Sequence, residues 1–248
     1  MGIDSTSLEA ILISQSYVMN RSRMLMLGRQ GIHAFPQKVD YLLDKYSLFS
    51  LKGRYVWGWS EPLFRDLGYE IVESLDNSAY EGASRIHNMN REIPAPVARY
   101  DYIYDGGTIE HIFNTPQVCE NVINSLEIGG IFCSVTANNN LSGHGIYQFS
   151  PEFFLSAFNS KYGMETLEMY IGLVGTERES WIDVNSYKRG NGGRNCAKFS
   201  SPGDVYIITI ARKISDERLS LITDSPHQYS YEELDWVTPN TENRHTSS

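Results

Sequence analysis

Apolar runs of strand length alternate with helical patterns along most of the chain. The runs that predict strands are 23–28, 70–75, 83–87, 102–104, 131–136, 164–171 and 205–211. The segments that predict helices are 7–19, with an amphipathic pattern, 36–48, 61–67 after a capping Ser60, 116–126 and 151–159. Strand and helix alternate through the first five strands, and this order predicts a parallel, doubly wound sheet.

The last two predicted strands break this alternation. The connection 172–204 has no helical pattern and carries Gly190, Gly192 and Gly193, so a hairpin with a long loop is the simpler interpretation. We therefore expect an α/β fold with a mostly parallel, seven-stranded sheet whose last strand is antiparallel.

The domain organisation follows from the same pattern. A chain of 248 residues with 41% hydrophobic content is sufficient for one core. We expect an N-terminal helical segment at 1–22, one α/β domain at 23–213, and a polar, mobile tail at 214–248, where Ser, Thr, Asn and acidic residues dominate. The insertion between the first two strands, around Trp57-Gly58-Trp59, has no assigned role.

Charge and cysteine content narrow the function classes. A net charge of −9 disfavours binding to nucleic acid and favours a small-molecule substrate. No apolar run is long enough to cross a membrane, and three cysteines, an odd number, fit reduced thiols in the cytoplasm. Sixteen tyrosines suit a polar-aromatic pocket or an interface, which leaves a homodimer open.

The densest group of chemically active residues follows the fourth predicted strand. Asp105-Gly106-Gly107 breaks the strand, and Glu110 and His111 come directly after it. In open α/β sheets ligands bind at the carboxyl ends of the strands, so we expect the active site here. His144, between two glycines in the loop after the fifth strand, would face the same place.

Several of these blocks resemble class I S-adenosylmethionine-dependent methyltransferases. The likeness spans roughly 23–213 and rests on the first loop 28–31, Leu75-Asp76, 102–105, Glu110-His111, 126–130 and the closing hairpin. An antiparallel seventh strand separates such sheets from those of dinucleotide dehydrogenases. The blocks 105–114 (DGGTIEHIFN) and 143–152 (GHGIYQFSPE) are similar to an uncharacterised bacterial group associated with glycan and secondary-metabolite pathways.

The resemblance implies S-adenosylmethionine as cofactor and a place for each residue. Gly28 would face the methionine part, Asp76 the ribose hydroxyls and Asn88 the adenine, while Asp105 and Gly106 would form the floor and Glu110 would help to hold the cofactor. The family usually has Gly-x-Gly-x-Gly after the first strand, whereas this chain keeps only the first glycine. Arg29 is expected to compensate by pairing with the cofactor carboxylate.

The implied reaction is methyl transfer to a hydroxyl or amine of a small molecule, such as a sugar or secondary-metabolite precursor. His144, or failing that His111, would take the proton. No sequence spacing typical of metal ligands is present, so we expect no metal.

Other interpretations remain open. The chain could be a non-catalytic module that keeps the fold, whereas a nicotinamide enzyme should show Gly-x-Gly-x-x-Gly, which is absent. Asp76 and Asp105 could cap turns, and Glu110 could favour a helix amino terminus. Trp57, Trp59 and Trp181 fit core or lid packing, and Lys188, Arg189 and Arg194 fit solvated loop charges better than a substrate contact.

Overall fold

A computed structural model describes residues 2–95, 97–184 and 201–226. Lys188, Arg189, Arg194 and Cys196, together with the segment 227–248 of the predicted tail, lie outside the described residues.

The strands of the described residues form two sheets. Their bounds are β1 (Gly2–Ile3), β2 (Arg23–Leu27), β3 (Gly31–Ile32), β4 (Gly58–Trp59), β5 (Ile71–Asp76), β6 (Arg85–Ile86), β7 (Tyr100–Asp105), β8 (Leu126–Asn139), β9 (Met164–Leu173), β10 (Ile182–Asp183) and β11 (Val205–Lys213). Within the described residues the larger sheet has eight strands in the order β10-β9-β11-β8-β7-β2-β5-β6. All seven predicted strands are present, and β10 adds an eighth at the edge.

Pairing in the larger sheet confirms the predicted topology. β2 pairs in parallel with both β5 and β7, β5 with β6, and β7 with β8. β11 is antiparallel to β8 on one side and to β9 on the other. The last long strand thus enters between the fifth and sixth in an antiparallel direction, and the carboxyl ends of β2, β5 and β7 meet at one edge.

Helices cover both faces of this sheet, so its central strands are buried on both sides, as their continuous apolar runs predict. The helices are α1 (Ser5–Ser14), α2 (Pro36–Lys45), α3 (Glu61–Asp66), α4 (Thr115–Ser125) and α5 (Pro151–Ala157). One core cluster joins α1, α2 and α3 to one face, and the other joins α4 and α5 to the opposite face.

Helix α1 corrects the prediction of an amphipathic helix over 7–19. It ends at Ser14, and its residues from Thr6 to Ser14 are all buried, including the polar ones. The polar side chains find partners inside: Ser14 Oγ lies 2.8 Å from Tyr102 Oη, and Thr6 Oγ1 donates to the Thr176 carbonyl at 3.1 Å. Buried polar groups are tolerated when they are hydrogen-bonded, which a polarity pattern does not reveal.

The insertion before β5 builds the second sheet. β3 pairs in parallel with β1 and antiparallel with β4, which carries Trp59. Ser60 does not cap α3 through its side chain, contrary to the prediction; its hydroxyl donates to the Gln30 carbonyl at 2.8 Å. The insertion therefore fastens the first loop of the larger sheet to the amino terminus of the chain.

The first part of the predicted tail packs against the domain. Arg218 pairs with Glu120 of α4 at 2.7 Å, and Leu221 is buried. Within the described ranges, none of the helices is both long enough and apolar enough to cross a membrane.

Candidate active site

A cavity of about 320 Å³ opens at the carboxyl edge of β2, β5 and β7. The loops that follow these strands supply its walls, as expected for a ligand site in a doubly wound sheet. It is lined by Gly28, Arg29, Gln30, Leu75, Asp76, Asn77, Glu81, His87, Asn88, Met89, Asn90, Thr108, His111 and Ile112. Five predicted site residues line this cavity: Gly28, Arg29, Asp76, Asn88 and His111.

Asp76 presents an available carboxylate to the cavity. Its side chain accepts one long hydrogen bond, from Ser78 N at 3.4 Å, and no other within the described residues. Beside it, Leu75 and Met89 are buried and give the cavity an apolar wall. A carboxylate next to an apolar surface suits a ligand that has a diol and a flat ring.

The side-chain oxygen of Asn88 is already hydrogen-bonded within the chain. Its Oδ1 accepts from both Asn90 N at 3.0 Å and Asn90 Nδ2 at 2.9 Å. Because these bonds occupy the acceptor, the Asn88 Nδ2 group is the part left to face a ligand. Its contact with adenine stays a prediction, and Nδ2 would donate to a ring nitrogen rather than accept from the exocyclic amine.

The first loop is held by contacts within the chain. Gly28 has φ 68° and donates its N–H to the Leu75 carbonyl at 2.8 Å. Arg29 Nε bonds Glu61 at 2.7 Å, its Nη1 donates to the Glu81 carbonyl, and its guanidinium lies 4.3 Å from the centre of the Trp59 ring. Arg29 thus reaches the cavity wall with its charge already paired.

Gln30 is a site residue that the sequence interpretation did not select. It is buried, its Nε2 donates to the Leu27 carbonyl at 2.8 Å, and its Oε1 has no hydrogen-bond partner among the described residues. A Cβ on Gly106 would lie 3.1 Å from that oxygen and 2.8 Å from Tyr104 Oη. An unpaired buried acceptor beside a position that admits only hydrogen is consistent with a polar ligand group at this place. The signal in the sequence was its position between Gly28 and Gly31.

Asp105 lies beneath the cavity rather than in its wall. It is fully buried, and its Oδ1 accepts from Thr108 N at 2.8 Å and Ile109 N at 3.3 Å. Its Oδ2 accepts from Ser134 Oγ at 2.8 Å. Burial raises the pKa of Asp105 to about 6, although these hydrogen bonds lower it. Asp105 shapes the turn that carries Thr108 and His111, and Asp105 and Gly106 do not line the cavity.

Glu110, His111 and His144 form a cluster at one end of the cavity. The His111 and His144 ring centres are 5.1 Å apart, and His144 Nε2 lies 3.7 Å from Glu110 Oε1. Burial, and then the charge of Asp105, raise the pKa of Glu110 to about 8. Burial, and then His144, lower the pKa of His111. The two candidate bases are therefore neighbours, and His111 is the one that lines the cavity.

Comparisons with known proteins give remote structural matches. No family model and no curated protein matches the chain. It is similar to TehB from Haemophilus influenzae (15% identity, TM-score 0.42), with 82% of this chain and 62% of TehB covered. It is also similar to a TehB-like SAM-dependent methyltransferase from Corynebacterium glutamicum (14% identity, TM-score 0.42), with 83% of this chain and 87% of that protein covered.

A third similar structure is Burkholderia thailandensis 1,6-didemethyltoxoflavin-N1-methyltransferase with bound S-adenosylhomocysteine (14% identity, TM-score 0.47). The match covers 85% of this chain and 78% of that protein. The larger sheet of this chain is Rossmann-like, and its last long strand, β11, is antiparallel to both neighbours.

Proposed function

We propose that this protein transfers a methyl group from S-adenosylmethionine to a hydroxyl or amine of a small molecule, such as a sugar or secondary-metabolite precursor. The observation that carries the proposal is the available Asp76 carboxylate in a cavity at the carboxyl edge of a methyltransferase-type sheet. The cofactor would supply an activated methyl group on a sulfonium.

The residues present fit this cofactor in three respects. Asp76 would accept hydrogen bonds from the ribose hydroxyls, and Leu75, Met89 and Ile112 would contact the adenine. The unpaired Gln30 Oε1 would accept a hydrogen bond from the amino group of the methionine part. Arg29 would stabilise the loop through Glu61 instead of binding the carboxylate itself.

A non-catalytic module is the second candidate. It is favoured by the first loop, in which the usual glycines are replaced and Arg29 is paired within the chain. Such a module would keep the cavity and lack turnover with every acceptor. Assaying release of S-adenosylhomocysteine over a panel of sugars, phenols and amines separates the two candidates.

We expect Asp76→Ala to weaken S-adenosylmethionine binding by about 10- to 100-fold, because hydrogen bonds to a charged group contribute about 1.5–3 kcal/mol. The measurement is the calorimetric Kd. Asp44→Ala is the matched control, since Asp44 lies on α2 in an exposed pair with Lys52. Equal affinities for the Asp76 variant and the wild type would exclude the ribose role.

Proton removal is assigned to the cluster that contains His144 and His111. We expect His144→Ala to lower turnover by about a hundredfold, the usual contribution of a positioned proton acceptor, and to leave the cofactor Kd unchanged. The assay uses the best acceptor of the panel, and His33→Ala is the control because His33 is exposed and does not line the cavity. Unchanged turnover in the His144 variant would remove it from the mechanism.

A further inference from the structure

Two loops meet at the cluster of Glu110, His111 and His144. Ile146 N and Tyr147 N both donate to the Glu110 carbonyl, at 2.8 and 3.1 Å, and so dock the loop after β8 on the turn after β7. A Cβ on Gly145 would lie 2.9 Å from Glu110 Cγ and 3.0 Å from Glu110 O. The glycine is therefore required for this approach, and the docking fixes His144 beside the other two side chains.

One oxygen of the buried Glu110 carboxyl lacks a hydrogen-bond partner among the described residues. The Glu110 side chain is 1% exposed, and Oε2 has no hydrogen bond within the described part of the chain. No Lys or Arg of that part forms an ion pair with it, and His144 Nε2 lies 3.7 Å from Glu110 Oε1, beyond hydrogen-bond distance. A buried carboxyl oxygen without a partner is costly, and a bound ligand at the carboxyl would offset that cost.

We propose that Glu110, His111 and His144 bind one divalent transition-metal ion through a carboxylate oxygen and one nitrogen of each imidazole. The three candidate ligand atoms all lie within 4.8 Å of one another. A zinc ion at 2.0–2.2 Å from each atom needs them roughly 3.4 Å apart. Metal binding would therefore require the two exposed rings to rotate about their side-chain bonds and draw the ligand atoms together.

The donor set selects the class of metal. Two imidazoles and one carboxylate suit zinc or ferrous iron, whereas magnesium and calcium prefer oxygen ligands. Three protein ligands leave coordination positions open, and His111 places the ion at the cavity wall. The expectation of no metal considered spacing within one segment, whereas these three side chains come from the turn after β7 and the loop after β8.

The role of the ion rests on the proposed methyl transfer, whereas metal binding itself does not. An acceptor hydroxyl bound at an open position would lose its proton to solvent more easily. Its oxygen would then form the new carbon–oxygen bond while the donor's carbon–sulfur bond breaks and leaves its electron pair on sulfur. In this arrangement His111 and His144 act as ligands, and loss of either would lower turnover as loss of a base would.

The test is calorimetric titration of the full-length, tag-free, chelator-treated protein with Zn²⁺ alone, repeated with Co²⁺ to record its visible absorption. We expect one equivalent to bind, with cobalt bands typical of nitrogen and oxygen ligands. His111→Ala and His144→Ala should each weaken Zn²⁺ binding by at least about tenfold, because each removes one of three ligands. Both rings are exposed, so both variants should fold, which thermal unfolding checks.

His87→Ala is the matched control, because His87 lines the same cavity outside the cluster and bonds the Arg91 carbonyl. Absence of a saturable Zn²⁺ site, or equal affinity in the wild type and both cluster variants, would overturn the proposal. Because the titration uses Zn²⁺ alone, its result does not depend on whether the protein binds S-adenosylmethionine. If the protein binds Zn²⁺ but not S-adenosylmethionine, the metal site is supported and methyl transfer is contradicted. If it binds S-adenosylmethionine but not Zn²⁺, methyl transfer is supported and the metal site is contradicted.

Discussion

Replacing Glu9 by alanine is expected to lower the free energy of unfolding by about 3–5 kcal/mol, because Tyr46 Oη and Arg178 N lose hydrogen bonds to a charged group, which contribute about 1.5–3 kcal/mol each. The Glu9 side chain is fully buried and pairs with Lys45 Nζ at 2.6 Å. It also accepts from Tyr46 Oη at 2.9 Å and Arg178 N at 3.0 Å. One carboxylate thus joins α1 to α2 and to the segment after β9.

The matched control is Glu179→Ala. Glu179 pairs with the same Lys45 at 2.8 Å, but its side chain is 68% exposed, so its loss should cost less than about 1 kcal/mol. Urea unfolding monitored by circular dichroism measures both variants. If both variants lost less than about 1 kcal/mol of the free energy of unfolding, Glu9 would not be what stabilises the packing of α1. The result bears on the site, because α1 follows β1, which pairs with β3 next to the first loop.

The second large effect concerns Asp105 and pH. Its folded pKa of about 6 is above the unfolded value of about 3.9, so folding favours the protonated form. This stabilising contribution is fully present below the unfolded pKa and is lost as the pH rises through the folded pKa. Asp105 contributes about 3 kcal/mol in total to the free energy of unfolding at low pH, and about 2 kcal/mol of this is lost between pH 4.5 and 7.5.

Asp105→Asn isolates this contribution. The amide oxygen can still accept from Thr108 N and Ile109 N, and its nitrogen can donate to Ser134 Oγ, so the turn is retained. We expect the stability of the variant relative to the wild type to increase by about 2 kcal/mol from pH 4.5 to 7.5. The Asp105 charge also raises the pKa of Glu110, so its loss in the variant lowers that pKa and changes the stability difference with pH in the same direction. A pH-independent difference would show that Asp105 is ionised throughout that range.

The sheet could be predicted from sequence because its long strands are buried on both faces. Continuous apolar runs such as Arg23–Leu27 and Val205–Lys213 carry that signal directly. The two-residue strands β1, β3 and β4 are too short to show any periodicity, so the second sheet could not be predicted. The burial of α1 depends on partners distant in the sequence, such as Tyr102 for Ser14.

Some features of the candidate site could also be predicted from sequence, and others could not. Asp76 follows directly from its place at the end of a predicted strand, because parallel strands bring their carboxyl ends to one edge. The internal pairing of Arg29 depends on Glu61 and Trp59 in the insertion, whose fold gave no pattern in the sequence. The place of His144 opposite the turn after β7 was predicted from its loop, whereas its distance from Glu110 depends on two backbone hydrogen bonds that residue spacing does not reveal.

The most direct test of the central claim is isothermal titration of the full-length wild-type protein with S-adenosylmethionine and S-adenosylhomocysteine. The cavity beside Asp76 predicts one site per chain for each compound, with a Kd on the order of micromolar, as for cofactors held by several hydrogen bonds and an apolar wall. No heat of binding and no rise in Tm with either compound at millimolar concentration would contradict the account.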